Sequence, residues 1–78
     1  MATILISGAN RGIGLELARQ FAADGWEVIG TARRPEAADA LRANGAEVLP
    51  LEVTAPASIA ALVHSLNGRP IDVLIANA

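Results

Sequence analysis

Cysteine, lysine and tyrosine are all missing from this 78-residue sequence. Without cysteine there is no disulfide, no thiolate metal site and no cysteine nucleophile. Without lysine, every fixed cation is an arginine: Arg11, Arg19, Arg33, Arg34, Arg42 and Arg69. These do not gather into a basic stripe, and the formal net charge is −2, so a nucleic-acid partner is not indicated. Aromatic residues are reduced to Phe21 and Trp26, which leaves aliphatic side chains to fill the core. No apolar run approaches the length needed to cross a bilayer, so no membrane partner is expected. The opening Met1-Ala2-Thr3-Ile4 lacks the basic region and long apolar core of a secretory signal, and a cytoplasmic location is expected. His64 is the single histidine; with no ligand cluster near it, it reads as a surface helix residue rather than a metal ligand.

What is present is strongly apolar, 53% hydrophobic against 18% charged. That is too apolar for disorder and suits strands covered on both faces. The length allows one small domain of marginal stability. Residues 3–7 read as a buried strand, and Gly8 to Gly14 as a glycine-rich turn. From Ile13 the period changes: Ile13, Leu17 and Phe21 recur at four-residue spacing, with Gly14 and Ala18 beside them, as on one face of a helix. Gly25, after Asp24, suits a left-handed cap. Residues 27–32 read as a second strand, opened by Trp26 over the end of the sheet. Pro35 fits the first turn of a helix over residues 36–44, anchored by Leu41 and closed by Gly45.

Residues 47–51 form a third strand, which Pro50 places at a sheet edge because it cannot donate to the ladder. Thr54 is expected to cap a helix with Pro56 just inside it. Along that helix Ile59, Leu62, Val63 and Leu66 fall at i, i+3, i+4 and i+7. Residues 67–70 are a loop, and 71–76 a fourth strand. The order β-α-β-α-β-α-β predicts an α/β fold with a parallel sheet and right-handed crossovers. This is the N-terminal half of a Rossmann-type three-layer fold, with strand order 3-2-1-4. The fourth strand crosses to the far side of the first and creates a topological switch point, where nucleotides bind.

The glycine turn, Ser7-Gly8-Ala9-Asn10-Arg11-Gly12-Ile13-Gly14, sits between the first strand and the first helix, the context such a pattern requires. Gly8 allows the sharp exit from the strand. Gly12 leaves room for a pyrophosphate to approach the backbone, and Gly14 lets the helix pack closely. The helix N-terminus then offers its amides and macrodipole to the anion. A simple turn needs one glycine, and here there are three.

This turn resembles the cofactor loop of the short-chain dehydrogenase/reductase family, whose usual form is Thr-Gly-x3-Gly-Ile-Gly, with Ser7 here for threonine. The resemblance continues at Leu51-Glu52-Val53-Thr54, where the family usually has Asp-Val, and at Ala76-Asn77-Ala78, similar to the family's Asn-Asn-Ala-Gly. Two departures stand out. Glu52 replaces the aspartate that holds the adenine amino group, keeping the charge on an arm one methylene longer. The resemblance implies a similar contact, partly through the Val53 backbone. Ala76 replaces the first asparagine of the fourth-strand motif, while Asn77 remains.

NAD-preferring sites place an acid at the end of the second strand to bind the ribose 2′-hydroxyl. Here that region reads Thr31-Ala32-Arg33-Arg34, with no acid. An arginine can instead pair a 2′-phosphate through charge-assisted, often bidentate hydrogen bonds. In the family's NADP-preferring reductases, basic residues commonly stand here and at the position of Arg11. The resemblance therefore implies NADP(H) in preference to NAD(H), with Arg33 the foremost phosphate ligand, then Arg34. The expected cofactor-binding set is Gly8, Asn10, Arg11, Gly12, Ile13, Gly14, Arg33, Arg34, Glu52, Val53 and Asn77.

By the same resemblance, the complete protein transfers hydride between a nicotinamide and a small carbonyl or alcohol substrate, and is a homo-oligomer. The family's general acid is a tyrosine whose pKa is lowered by a lysine, with a serine orienting the substrate. Residues 1–78 are therefore expected to be a nucleotide-binding half that ends before the catalytic region and is inactive alone. Two other readings stand beside this one. The half-fold could serve as a stand-alone nucleotide-binding or regulatory module, or the chain could be a Rossmann methyltransferase using S-adenosylmethionine. The last expects an acid where Arg33 stands.

Overall fold

The computed structural model describes residues 2–77; Met1 and Ala78, each part of a motif considered above, lie outside the described residues. Thr-Ile-Leu-Ile builds the first strand, β1 (Thr3–Ile6), and all four of its residues are buried. The chain continues through α1 (Gly12–Ala23), β2 (Glu27–Ala32), a 3-10 turn (Pro35–Ala37) and α2 (Asp39–Ala43). It is completed by β3 (Glu47–Pro50), α3 (Pro56–Leu66) and β4 (Val73–Ile75). All pairings are parallel, and the strands lie in the order β3-β2-β1-β4. β3 is at an edge, as Pro50 requires. α1 and α2 pack on each other over one face. The crossover from β3 to β4 runs the other way, so a right-handed connection puts α3 on the opposite face.

Alternation along the strands feeds two layers. Ile4 and Ile6 of β1 join Val28 and Ala32 of β2 in a core cluster closed by Ala18 of α1 and Leu41 of α2. Gly30 lies between Val28 and Ala32; a Cβ there would stand 2.6 Å from Leu41 Cδ2, so the missing side chain is the seat for Leu41. Trp26 is half-buried and meets Phe21 edge-to-face, with centroids 5.0 Å apart, at the lower end of the sheet. Below β3, Arg69 donates two hydrogen bonds to Glu47, at 2.7 and 3.2 Å, and lies 3.8 Å from Glu27. The guanidinium holds the Glu47 carboxyl below the ordinary carboxylate range.

Several expectations are corrected. The helix expected over residues 36–44 is divided into the 3-10 turn and a five-residue α2, with Ala38 (ψ 45°) between them. Leu41 and Ala38 are its buried anchors, too few to propagate one regular helix. Thr54 does not cap α3: Ala55 holds that position, with no side-chain cap. The Thr54 hydroxyl is spent instead on Glu52, 3.0 Å away.

Ile13 is not on the buried face of α1; it is 74% exposed. At about 100° per residue, eight residues put it roughly 80° around the helix from Phe21. The buried positions are Gly14 and Ala18. The stripe on α3 is helical, but Ile59 and Val63 are exposed, with Leu62 and Leu66 half-buried. Leu74 of β4 is exposed as well. Among the described residues, no helix is long and apolar enough to cross a membrane.

Candidate functional site

The C-terminal ends of β1, β2 and β3, with the segments that follow them, open into a cleft of about 1030 Å³. The turn after β1 forms its floor. Gly8 (φ 61°) and Gly12 (φ 60°) take left-handed conformations that L side chains avoid, and between them the chain reverses into α1. Gly14 is needed for a different reason. A Cβ there would come within 2.5 Å of the Gly8 carbonyl oxygen and 2.6 Å of Asn77 Nδ2. The close packing thus joins the helix to its own turn and to the end of β4.

Both neighbouring strands secure the turn. On one side, the Gly8 amide donates to Thr31 Oγ1 at 3.2 Å and the Ala9 amide to the Thr31 carbonyl at 3.0 Å. On the other, Asn77 Nδ2 donates to the Gly8 carbonyl at 3.1 Å. The Ser7 hydroxyl donates to the Asn77 carbonyl and accepts from the Asn77 amide, each at 2.9 Å.

α1 therefore starts from a fixed point. Its N-cap, Arg11, is extended and supplies no side-chain cap, and no acid lies in the first turn. The first amides of the helix are left to an outside acceptor, with the positive end of the dipole behind them. Arg33 and Arg34 leave the end of β2 on the same side, both exposed. Opposite them, the Glu52 carboxylate accepts from the Thr54 hydroxyl, with Arg33 Nη1 3.7 Å away. Thr54, by its hydroxyl and its amide, and Arg33 more weakly, hold the Glu52 carboxyl below its ordinary range.

Of the eleven residues expected to bind cofactor, ten line this cleft: Gly8, Asn10, Arg11, Gly12, Ile13, Arg33, Arg34, Glu52, Val53 and Asn77. Gly14 is buried beneath it. Ile13 and Val53 present apolar surface there. Sequence reasoning missed Thr31, Ala32, Ala37, Leu51 and Thr54 in the lining. It also missed Ser58, whose hydroxyl accepts from the Glu52 amide at 2.8 Å. Only Thr31 carried a signal, as the one polar residue in the run Val28–Ala32 that follows Glu27 in β2. His64 is exposed in the last turn of α3, outside the cleft.

The geometry fits a dinucleotide phosphate: a glycine turn, free helix amides and arginines converge at a switch point. Comparison with known proteins accords with this. The family profile described as short chain dehydrogenase matches residues 2–78, and the chain belongs to that family. It is 42% identical to serine 3-dehydrogenase of Agrobacterium fabrum, over 97% of this chain and 32% of that protein. It is 41% identical to the 3-oxoacyl-acyl-carrier-protein reductase FabG of Escherichia coli, over 95% of this chain and 32% of that one. The chain thus spans about a third of the length of these relatives. A solved Burkholderia multivorans structure described as a short-chain dehydrogenase/reductase with bound NADP superposes with a TM-score of 0.89. Its identity is 37%, covering 99% of this chain and 36% of that one. The methyltransferase reading is set aside.

Proposed function

We propose that residues 1–78 are the NADP(H)-binding part of a short-chain oxidoreductase. In this reading the complete protein transfers hydride between the nicotinamide and a carbonyl or alcohol substrate. The observation that carries it is the convergence of the uncapped α1 N-terminus and three arginines, Arg11, Arg33 and Arg34, on one cleft. The α1 amides would receive the pyrophosphate across Gly12. Arg33, with Arg34 and Arg11 near it, would pair the 2′-phosphate, where an acid would repel it. Glu52 and Val53 would meet the adenine, and Asn77 would hold the turn in shape. When bound, the dinucleotide would donate or accept the hydride according to its redox state; the residues here would bind and orient it.

The NADP bound in the Burkholderia multivorans relative supports this choice of cofactor. The substrate-facing acid, the choice of substrate and a homo-oligomeric assembly belong to the complete protein in the same reading. A cytoplasmic location, with a diffusible dinucleotide pool at hand, belongs to it too. The alternative, a stand-alone regulatory module, is disfavoured by the exposed Ile59, Val63 and Leu74, which a self-sufficient module would cover.

Titration of the natural gene product with NADP and NAD tests the reading. Wild type is expected to prefer NADP. Arg33→Asp should lose NADP affinity by at least about tenfold, the scale of a charge-assisted hydrogen bond, and turn the preference toward NAD. An unchanged ratio would remove Arg33 from the phosphate site.

A further inference from the structure

Glu52 and Arg33 reach toward each other from different strand ends, one beyond β3 and one beyond β2, and both line the cleft. Glu52 is anchored from its own side. Its amide is bound to Ser58 Oγ, and its Oε1 accepts from the Thr54 hydroxyl. That leaves Oε2 facing the Arg33 guanidinium at 3.7 Å. Among the described residues, no carboxylate pairs with Arg11 or Arg34, so one cleft arginine of three has a resident anion. That anion stands where an incoming anionic ligand of Arg33 must come.

We infer that Glu52 is a specificity-determining residue, an internal anion that occupies Arg33 until a ligand phosphate displaces it, and so limits how strongly the cleft favours a phosphorylated ribose over a plain one. The inference rests on the dinucleotide reading of the cleft. Solvent reaches both partners, with side chains 73% and 38% exposed, so the pair is weak enough to be exchanged for a phosphate. Once exchanged, the Thr54 and Ser58 bonds keep the carboxylate close by, where it repels the phosphate that replaced it. An adenine contact alone would act on NADP and NAD equally, because both carry the adenine. A counter-ion of Arg33 acts on NADP.

The test is titration of the natural gene product and its Glu52→Gln variant with NADP and with NAD. Glutamine keeps an oxygen for the Thr54 hydroxyl and for an adenine amino group but removes the charge. The variant should raise the affinity for NADP relative to NAD about two- to fivefold, the range an exposed ion pair is worth. A circular-dichroism spectrum matching that of wild type reports an intact fold. The gain should shrink with added salt and vanish in the Arg33→Gln background. An unmoved NADP/NAD ratio, a parallel shift in both, or a gain that persists without Arg33 overturns the inference while leaving the dinucleotide site standing. A wild-type protein that binds neither dinucleotide overturns both.

Discussion

Gly14 shows how little room one position can leave. Its absent Cβ is what allows the Gly8 carbonyl and the Asn77 amide side chain to meet over α1. Gly14→Ala must displace backbone rather than a flexible side-chain tip. We expect it to cost about 1–3 kcal/mol, as overpacking does. The loss should appear as a lower Tm and as weaker dinucleotide binding; an unchanged Tm would show that the turn yields freely. This residue and its partner glycines were legible in the sequence, because left-handed turns and close approaches restrict the side chain to hydrogen. Ser7 and Thr31 were far less so. Their hydroxyls matter only through partners on other strands, Asn77 and Gly8, and nothing local in the sequence announces such a pairing.

Elements followed the hydrophobic period closely where burial is complete and loosely elsewhere. β1 and β2, buried nearly throughout, lie within a residue of their expected bounds. β4 is shorter than residues 71–76 and more exposed, and pairs with β1 over three residues. The helix after Pro35 broke because docking of Leu41 against Gly30, rather than alanine's helix propensity, decides its path. Leu41 is fully buried and is the principal tie between α2 and the sheet. Leu41→Ala should therefore destabilise the protein by about 2–5 kcal/mol, read as a shift in the denaturant midpoint. A loss below that range would mean that α2 settles onto Gly30 and closes the cavity. Thr54 illustrates the competition at a helix start. It has the right side chain for a cap, yet a nearby carboxylate claimed its hydroxyl and left the cap to Ala55.

At the level of the whole molecule, strand order and cleft position were legible because both follow from alternation and handedness. The pairing of Arg33 with Glu52 was not, since two strand ends 19 positions apart become neighbours only in the folded sheet. The resemblance places the family's proton donor on a tyrosine assisted by a lysine, and neither residue occurs in these 78. A polypeptide of these residues alone is expected to give no carbonyl-dependent loss of NADPH absorbance. Turnover by it would require a different acid and would overturn the assignment of the chemistry to the complete protein.

The bonds from Ser7 and Gly8 to Asn77 also place the cleft in time. They join positions 70 and 69 residues apart, with three α-helices and three strands threaded between. Synthesis runs from the N-terminus, so the glycine turn is among the first parts made, while the partner that closes it is among the last of these residues. Until β4 arrives beside β1, a nascent chain can pair β1 with β2 but cannot tie down the far side of the turn. Long-range closures of this kind are slow steps. The floor of the cleft should consequently be finished only when the nascent chain has delivered β4 and Asn77, and a chain stalled short of them should emerge from the ribosome with its glycine turn unshaped.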